Sequence, residues 1–200
     1  MYNSLIVSQL CNYCLYYNMD TYKKNWPKFV IGFITCLLIR LIPFRPPNIE
    51  PILATQMPFS KAYGALPGFL FAFFSIIFYD LVTGTLGVWT LLTAGTYGVL
   101  GLWSAYYFKK HKANALGYAT FAIFGTIFFD AVTGLSIGPL FFHQSLSSAF
   151  TGQIPFTRLH LLGNVSFALV LSPAIYRFVV ESKKMETAAF INIFSFKKIS

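Results

Sequence analysis

GFLFAFFSIIFYDLVTG, residues 68–84, decides how this chain is read. It is an almost unbroken apolar run that closes on an aspartate and then on Thr83-Gly84. About 20 mostly apolar residues are what a helix needs to cross the hydrocarbon of a bilayer, and a glycine after the last turn is a common helix stop. The same ending returns further on. FYDLVTG at 78–84 is matched by FFDAVTG at 128–134, in a chain with only six acidic residues.

Composition generalises the reading. Of 200 residues, 56% are hydrophobic, 19% aromatic and 10% charged, and the mean hydropathy is +0.62. A soluble domain is nearer a quarter charged, so one domain lying mostly inside a bilayer is expected. The three cysteines, Cys11, Cys14 and Cys36, make no disulfide framework, and Cys11-x-x-Cys14 has no second pair with which to build a metal site. Residues 1–25 read as a poorly ordered tail without the pattern of a signal peptide. Residues 26–182 read as a six-helix membrane domain, and 183–200 as a basic cytoplasmic tail.

Six candidate spans follow from the apolar runs: 28–44, 48–61, 62–82, 87–108, 113–132 and about 156–181. The second is short, but charge supports it. Cytoplasmic loops are enriched in Lys and Arg, and six crossings with both termini inside put the clusters at Lys23/Lys24/Lys28, Lys61, Lys109/Lys110/Lys112 and Arg177/Lys183/Lys184 on one side. Twelve basic groups, counting Lys197 and Lys198, then face three acidic ones inside. Outside, Arg40, Arg45 and Arg158 balance Glu50, Asp80 and Asp130, so the whole net charge of +9 is internal. That count also removes nucleic acid as an explanation of the basic pI.

The repeated phrase then lies near the outer ends of the third and fifth spans. A carboxylate at a helix C-terminus opposes the helix dipole and is costly near lipid. Two readings compensate for it. Each Asp accepts hydrogen bonds from the Val-Thr-Gly turn, or one or both face a polar cavity that opens outward. The other outer groups favour the cavity. RLIPFRPPNIEP, residues 40–51, is a stiff proline turn in which Asn48 and Glu50 either cap the second span or face a ligand. TGQIPFTRLHLLGN, residues 151–164, brings Arg158, His160 and Asn164 to the start of the last span. For Arg158 the competing role is a snorkelling interfacial cation, and for His160 it is a packed core histidine. His143 and Trp89 complete the candidates, Trp89 as a belt residue or a stacking surface. SIGPLFFHQSLSSAFTGQIPF, residues 136–156, is too polar to span. A short helix opened by Pro139 is expected in it, either laying Phe141, Phe142, Leu146 and Phe150 across the outer mouth as a lid or resting as an amphipathic helix in the headgroups.

No HExxH, GxSxG or Walker loop occurs. No enzyme activity, metal or cofactor is therefore expected. No span carries a charge at its centre, which argues against a proton-coupled transporter acting alone.

The P-P-N-x-E-P turn at 46–51, the late I-P-F-x-x-x-x-L-L-G-N segment at 154–164 and six short hydrophobic helices together resemble the S components of energy-coupling-factor (ECF) vitamin transporters, in a poorly characterised branch. The resemblance covers about residues 26–181. It implies a substrate-binding subunit of the bacterial cytoplasmic (inner) membrane that takes a micronutrient from outside. It also implies partners, a membrane coupling protein and two cytoplasmic ATPases. That family often docks its coupling protein through A-x-x-x-A on the first helix; Gly32-x-x-x-Cys36 stands there in this chain, still small-x-x-x-small. Rival readings are an MreD-like scaffolding membrane protein and a small intramembrane enzyme.

Overall fold

A computed structural model describes residues 25–44 and 49–187, which contain helices and no strand. Helix α1 covers 25–40. It is followed by α2 (Ile52–Tyr63), α3 (Ala65–Thr83), α4 (Val88–Lys110), α5 (Ala115–Gly134), α6 (Ile137–Phe141) and α7 (Leu146–Ile175), the last running into a π-helical turn, Tyr176–Val180. Asn48 lies outside the described residues, as do 1–24 and 188–200. Among the described residues, three segments are long and apolar enough to cross a membrane: α3, α5 continued by α6 (Ala115–Phe141), and α7 with its π-turn (Leu146–Val180). The protein is all-helical and membrane-associated. Its outward side chains agree, since Leu38, Phe74, Leu91, Phe124, Leu162 and Val170 are large, apolar and exposed, a surface that lipid tolerates and water does not.

The centre of the bundle is α2. Every residue from Ile52 to Ser60 is buried, and α2 touches α3, α4, α5 and α7. At 12 residues it spans only about 18 Å, too short to cross a bilayer alone. The short second candidate is therefore a buried hub. Two hairpins flank it, α3–α4 and α5–α7, the two most extensively packed helix pairs. Helix α1 closes the remaining side, with Phe29 against Phe59 and Phe33 against Phe71.

Glycine lets these helices approach. A Cβ on Gly101 of α4 would stand 2.3 Å from the Gly68 carbonyl oxygen of α3, and one on Gly98 would meet the Phe69 ring at 2.6 Å. Gly32 of α1 leaves room for Phe59 of α2 in the same way, and Cys36 is fully buried beside it. The small-residue pair on α1 thus faces inward; the outward face of that helix is carried by Val30, Ile34 and Leu38.

The repeated phrase ends its two helices differently. Gly84 adopts φ 70°, and its N–H returns to the carbonyls of Asp80 and Leu81, closing α3. Only glycine takes that left-handed conformation cheaply. Gly134 is still helical, and the chain continues through a turn into α6. Gly134 packs beside the Gln153 side chain of α7. Helix α5 ends at its Thr-Gly as expected, but without the left-handed cap that closes α3.

Two boundaries differ from expectation. Helix α7 starts at Leu146, with Ser145 accepting from the Ser148 N–H as its N-cap, instead of near 156. The short helix between α5 and α7 is present, but it has 5 residues, opens at Ile137 and carries no buried side chain. Phe141, Phe142, Leu146 and Phe150 are all exposed, so no apolar face is laid down across the bundle. The run is too polar to look like part of a span, yet N-capping by Ser145 and intrahelical bonding of its hydroxyls let the last long helix begin in it.

Candidate functional site

Four charged or titratable side chains are drawn into the bundle near the C-terminal end of α1. Arg40 is the last residue of that helix and only 6% exposed. Its Nε donates to Glu50 Oε2 at 2.8 Å and its Nη1 to the Ser75 carbonyl of α3 at 2.8 Å. Its guanidinium also lies 3.7 Å over the Tyr79 ring. One side chain thereby ties α1, α3 and the segment before α2 together, as a planar fork of donors can and an ammonium cannot. Pro51 is the N-cap of α2, and no side chain caps that helix. Glu50 precedes the first turn and serves as the counter-ion of Arg40.

Across the interior, His160 Nδ1 donates to Asp130 Oδ1 at 2.6 Å, with both groups about 2% exposed. In the neutral ring this leaves Nε2 as an acceptor, and the Tyr97 hydroxyl stands 3.4 Å from it. One helical turn deeper the crossing repeats: Asn164 Nδ2 donates to Thr126 Oγ1 at 2.8 Å. Residues four apart share a helix face. Thr126/Asp130 on α5 and His160/Asn164 on α7 therefore form a two-rung polar ladder between the helices.

These groups surround a cavity of about 240 Å³, lined by Arg40, Glu50, Ile76, Thr93, Tyr97, Phe129, Thr133, Ile137, Phe156 and His160. Its walls come from α1, the segment before α2, and α3 to α7. It lies away from the lysine end of the bundle, where Lys28 Nζ reaches the Val180 carbonyl at 2.8 Å and Lys61 Nζ the Phe108 carbonyl at 2.7 Å. The antiparallel hairpins separate the two ends. A second cavity, of about 320 Å³, opens on the other side of the α5–α7 seam, between Ile127, Asp130, Leu135, Gln153, Thr157 and Arg158. A third, of about 530 Å³, is a groove between α1 and α3 lined by apolar side chains such as Trp26, Phe33, Leu70 and Phe74. It holds no group that could orient a polar solute.

The sequence candidates are distributed as follows. Glu50 and His160 line the polar cavity, and Asp130 holds His160 from behind. Asn164 lies one turn deeper. Arg158 is exposed and belongs to the second cavity. Asp80 is away from both, accepting from the Thr90 hydroxyl at 2.6 Å, while that Oγ1 accepts from the Gly87 N–H at 3.1 Å. This latches the α3–α4 turn through a side chain and not through the Val-Thr-Gly backbone. Trp89 packs against Phe142 with ring centroids 5.6 Å apart. His143 is exposed at the tip between α6 and α7, with φ 54°.

Arg40 and Tyr97 were not among the candidates. Arg40 had a signal, because a single arginine inside LLIRLIPF must find a partner to be buried, and Glu50 is ten residues away. Tyr97 had none, since nothing in a helix as mixed as α4 distinguishes it from its neighbours.

Buried hydroxyls near the cavity are already committed. Thr93 donates to the Trp89 carbonyl at 2.8 Å and Thr133 to the Phe129 carbonyl at 2.8 Å. Among the described residues no three His, Cys, Asp or Glu side chains are grouped to hold a metal. A scan against protein-family models, a search of curated proteins and a search of solved structures find no match to this chain.

Proposed function

We propose that this chain is the solute-capturing subunit of a membrane importer. It binds a small micronutrient from the outer face in the Arg40–Glu50–Tyr97–His160 cavity. The observation that carries the reading is the cavity itself: paired charges, a phenol and an imidazole enclosed in an otherwise apolar bundle, at the end opposite the lysines. Polar groups buried in a membrane helix bundle are expensive and mark solute pathways or sites. In this reading the lysine end is cytoplasmic by the positive-inside rule, both termini lie inside, and the chain crosses the bacterial cytoplasmic membrane six times. The described chain offers no nucleotide-binding loop, in keeping with energy supplied by an ECF coupling protein and two ATPases.

Co-expression of the tagged full chain with candidate coupling proteins and ATPases tests this. Co-purification, with saturable uptake of a micronutrient that falls when Tyr97 or His160 is replaced, is the expected result. Stable, folded protein that captures no solute and no coupling protein would overturn it.

The Asp130–His160 pair also favours a second reading, an intramembrane enzyme with His160 as general base. Thr93 and Thr133 are committed to backbone carbonyls, which leaves the Tyr97 hydroxyl or a water as the group that base could activate. Hydrolysis that survives in wild type and vanishes in His160→Ala would favour this reading over capture.

A further inference from the structure

We propose that the solute taken by the polar cavity is an uncharged, planar nitrogen heterocycle of one or two rings, with an N–H donor and a carbonyl or ring-nitrogen acceptor along one edge. This rests on the capture reading and narrows it to a substrate class.

Size comes first. The cavity measures about 240 Å³, below the roughly 300–1,000 Å³ of sites that enclose drug-sized ligands. A single or double ring matches a cavity of that size, whereas a fused three-ring compound with a polyol tail would project beyond its walls.

Charge narrows the class further. The charged groups at the cavity are already engaged: Arg40 is bonded to Glu50 at 2.8 Å, and the Asp130 carboxylate accepts from the His160 Nδ1–H at 2.6 Å. Arg40 also spends a second donor on the Ser75 carbonyl and its face on Tyr79. A carboxylate or phosphate on the solute would have to displace Glu50 from a buried pair. Breaking such a pair leaves an uncompensated charge, at a cost larger than most single contacts return. An uncharged solute leaves both pairs intact.

Edge chemistry fixes the rest. His160 Nε2, with Nδ1–H given to Asp130, is an acceptor aimed at the cavity. The Tyr97 hydroxyl meets that nitrogen in a long hydrogen bond of 3.4 Å, weak enough for a solute's closer acceptor and donor to replace it. Acceptor and donor side by side match the N–H and C=O of a lactam edge. Phe129 and Phe156 stand edge-on to the imidazole at 5.6 Å, giving the flat apolar walls that a ring's faces need.

The test uses the purified full chain in lipid nanodiscs, with four probes read by calorimetry. Uracil and hypoxanthine are neutral rings of one and two cycles. Orotate is uracil carrying a carboxylate, and riboflavin exceeds the volume. Saturable binding of uracil or hypoxanthine is expected, with orotate and riboflavin silent. Tyr97→Phe should weaken the neutral base about tenfold, as loss of one hydrogen bond does. Phe156→Ala, at a 36% exposed wall position that folding does not depend on, should weaken it as well. Binding of orotate or riboflavin that depends on Tyr97 would overturn the class while leaving capture standing. Silence of all four probes would also overturn the class, and capture would then be judged separately by uptake of other micronutrients in cells.

Discussion

His160 and Asp130 meet at 2.6 Å across the α5–α7 seam, whereas the aspartate in the matching phrase, Asp80, meets only Thr90 in a turn. The difference comes from what stands opposite each helix end. Helix α4 begins after Asp80, so nothing but a turn is beside it. Helix α7 starts well beyond the end of α5 and passes its whole length. The first prediction follows. Asp130→Ala leaves a buried imidazole N–H without an acceptor and should cost about 1–3 kcal/mol, while Asp80→Ala should cost under about 1 kcal/mol, because water can replace it. Thermal unfolding in detergent, followed by near-UV circular dichroism, makes the comparison. Equal shifts would show that burial of the Asp130 pair carries no special weight.

Arg40 gives a prediction about coupling. Arg40→Ala strands Glu50 and opens the Ser75 carbonyl, a loss of about 3–5 kcal/mol for a buried pair broken on one side. Arg40→Lys should recover only part of it, because a point charge cannot hold Glu50, Ser75 and Tyr79 together. The Arg40→Ala/Glu50→Ala double variant should be less destabilised than the two single losses added. Strict additivity in that cycle would deny the pair its role.

Close approach of α3 and α4 is tested by two glycines on one helix. Gly101→Ala drives a methyl into backbone at Gly68 and should destabilise by about 1–3 kcal/mol or more. Gly95→Ala meets nothing within 4 Å, so it should be neutral or stabilising by up to about 1 kcal/mol through helix propensity. The order of the two melting temperatures decides the matter, and its reversal would place the helices further apart.

Orientation can be read directly. A reporter fused after Lys112 should be cytoplasmic, and one inserted within 145–151 should be external. The opposite pattern at either site would remove the topology on which outer-face capture depends.

Much of the fold could be read from the chain because apolar runs and glycine stops are local signals. The helix through Tyr79 and Asp80 shows both, and Gly84 ends it as expected. The failures were where neighbours decide. Gly134 carries the same Thr-Gly signal and ends α5, yet it takes no left-handed cap and a turn leads straight on into α6. The polar residues after Ser145 look too polar for part of a span, although a serine N-cap and intrahelical hydroxyl bonds make them the first turns of α7. In the site, Glu50 and His160 could be seen because charge is rare here. Tyr97 could not, since its place depends on which face of α4 turns toward α7. Arg158 and His160 are two residues apart in sequence and point to different cavities, a separation set by helical phase.

The burial of α2 has a bearing on how the protein is made. A twelve-residue helix holding Thr55, Gln56 and Ser60 has too little apolar length to leave a translocation channel for lipid on its own. Its polar groups are sheltered only once both hairpins stand around it. During synthesis α2 emerges before either of them, so it must wait at the channel or the interface until α3–α4 and α5–α7 have been inserted. Under the proposed six-span topology, assembly is therefore expected to depart from chain order, with α2 seated after both hairpins, and a truncation that removes the final hairpin should send the nascent chain to membrane proteolysis even though every residue of α2 is present.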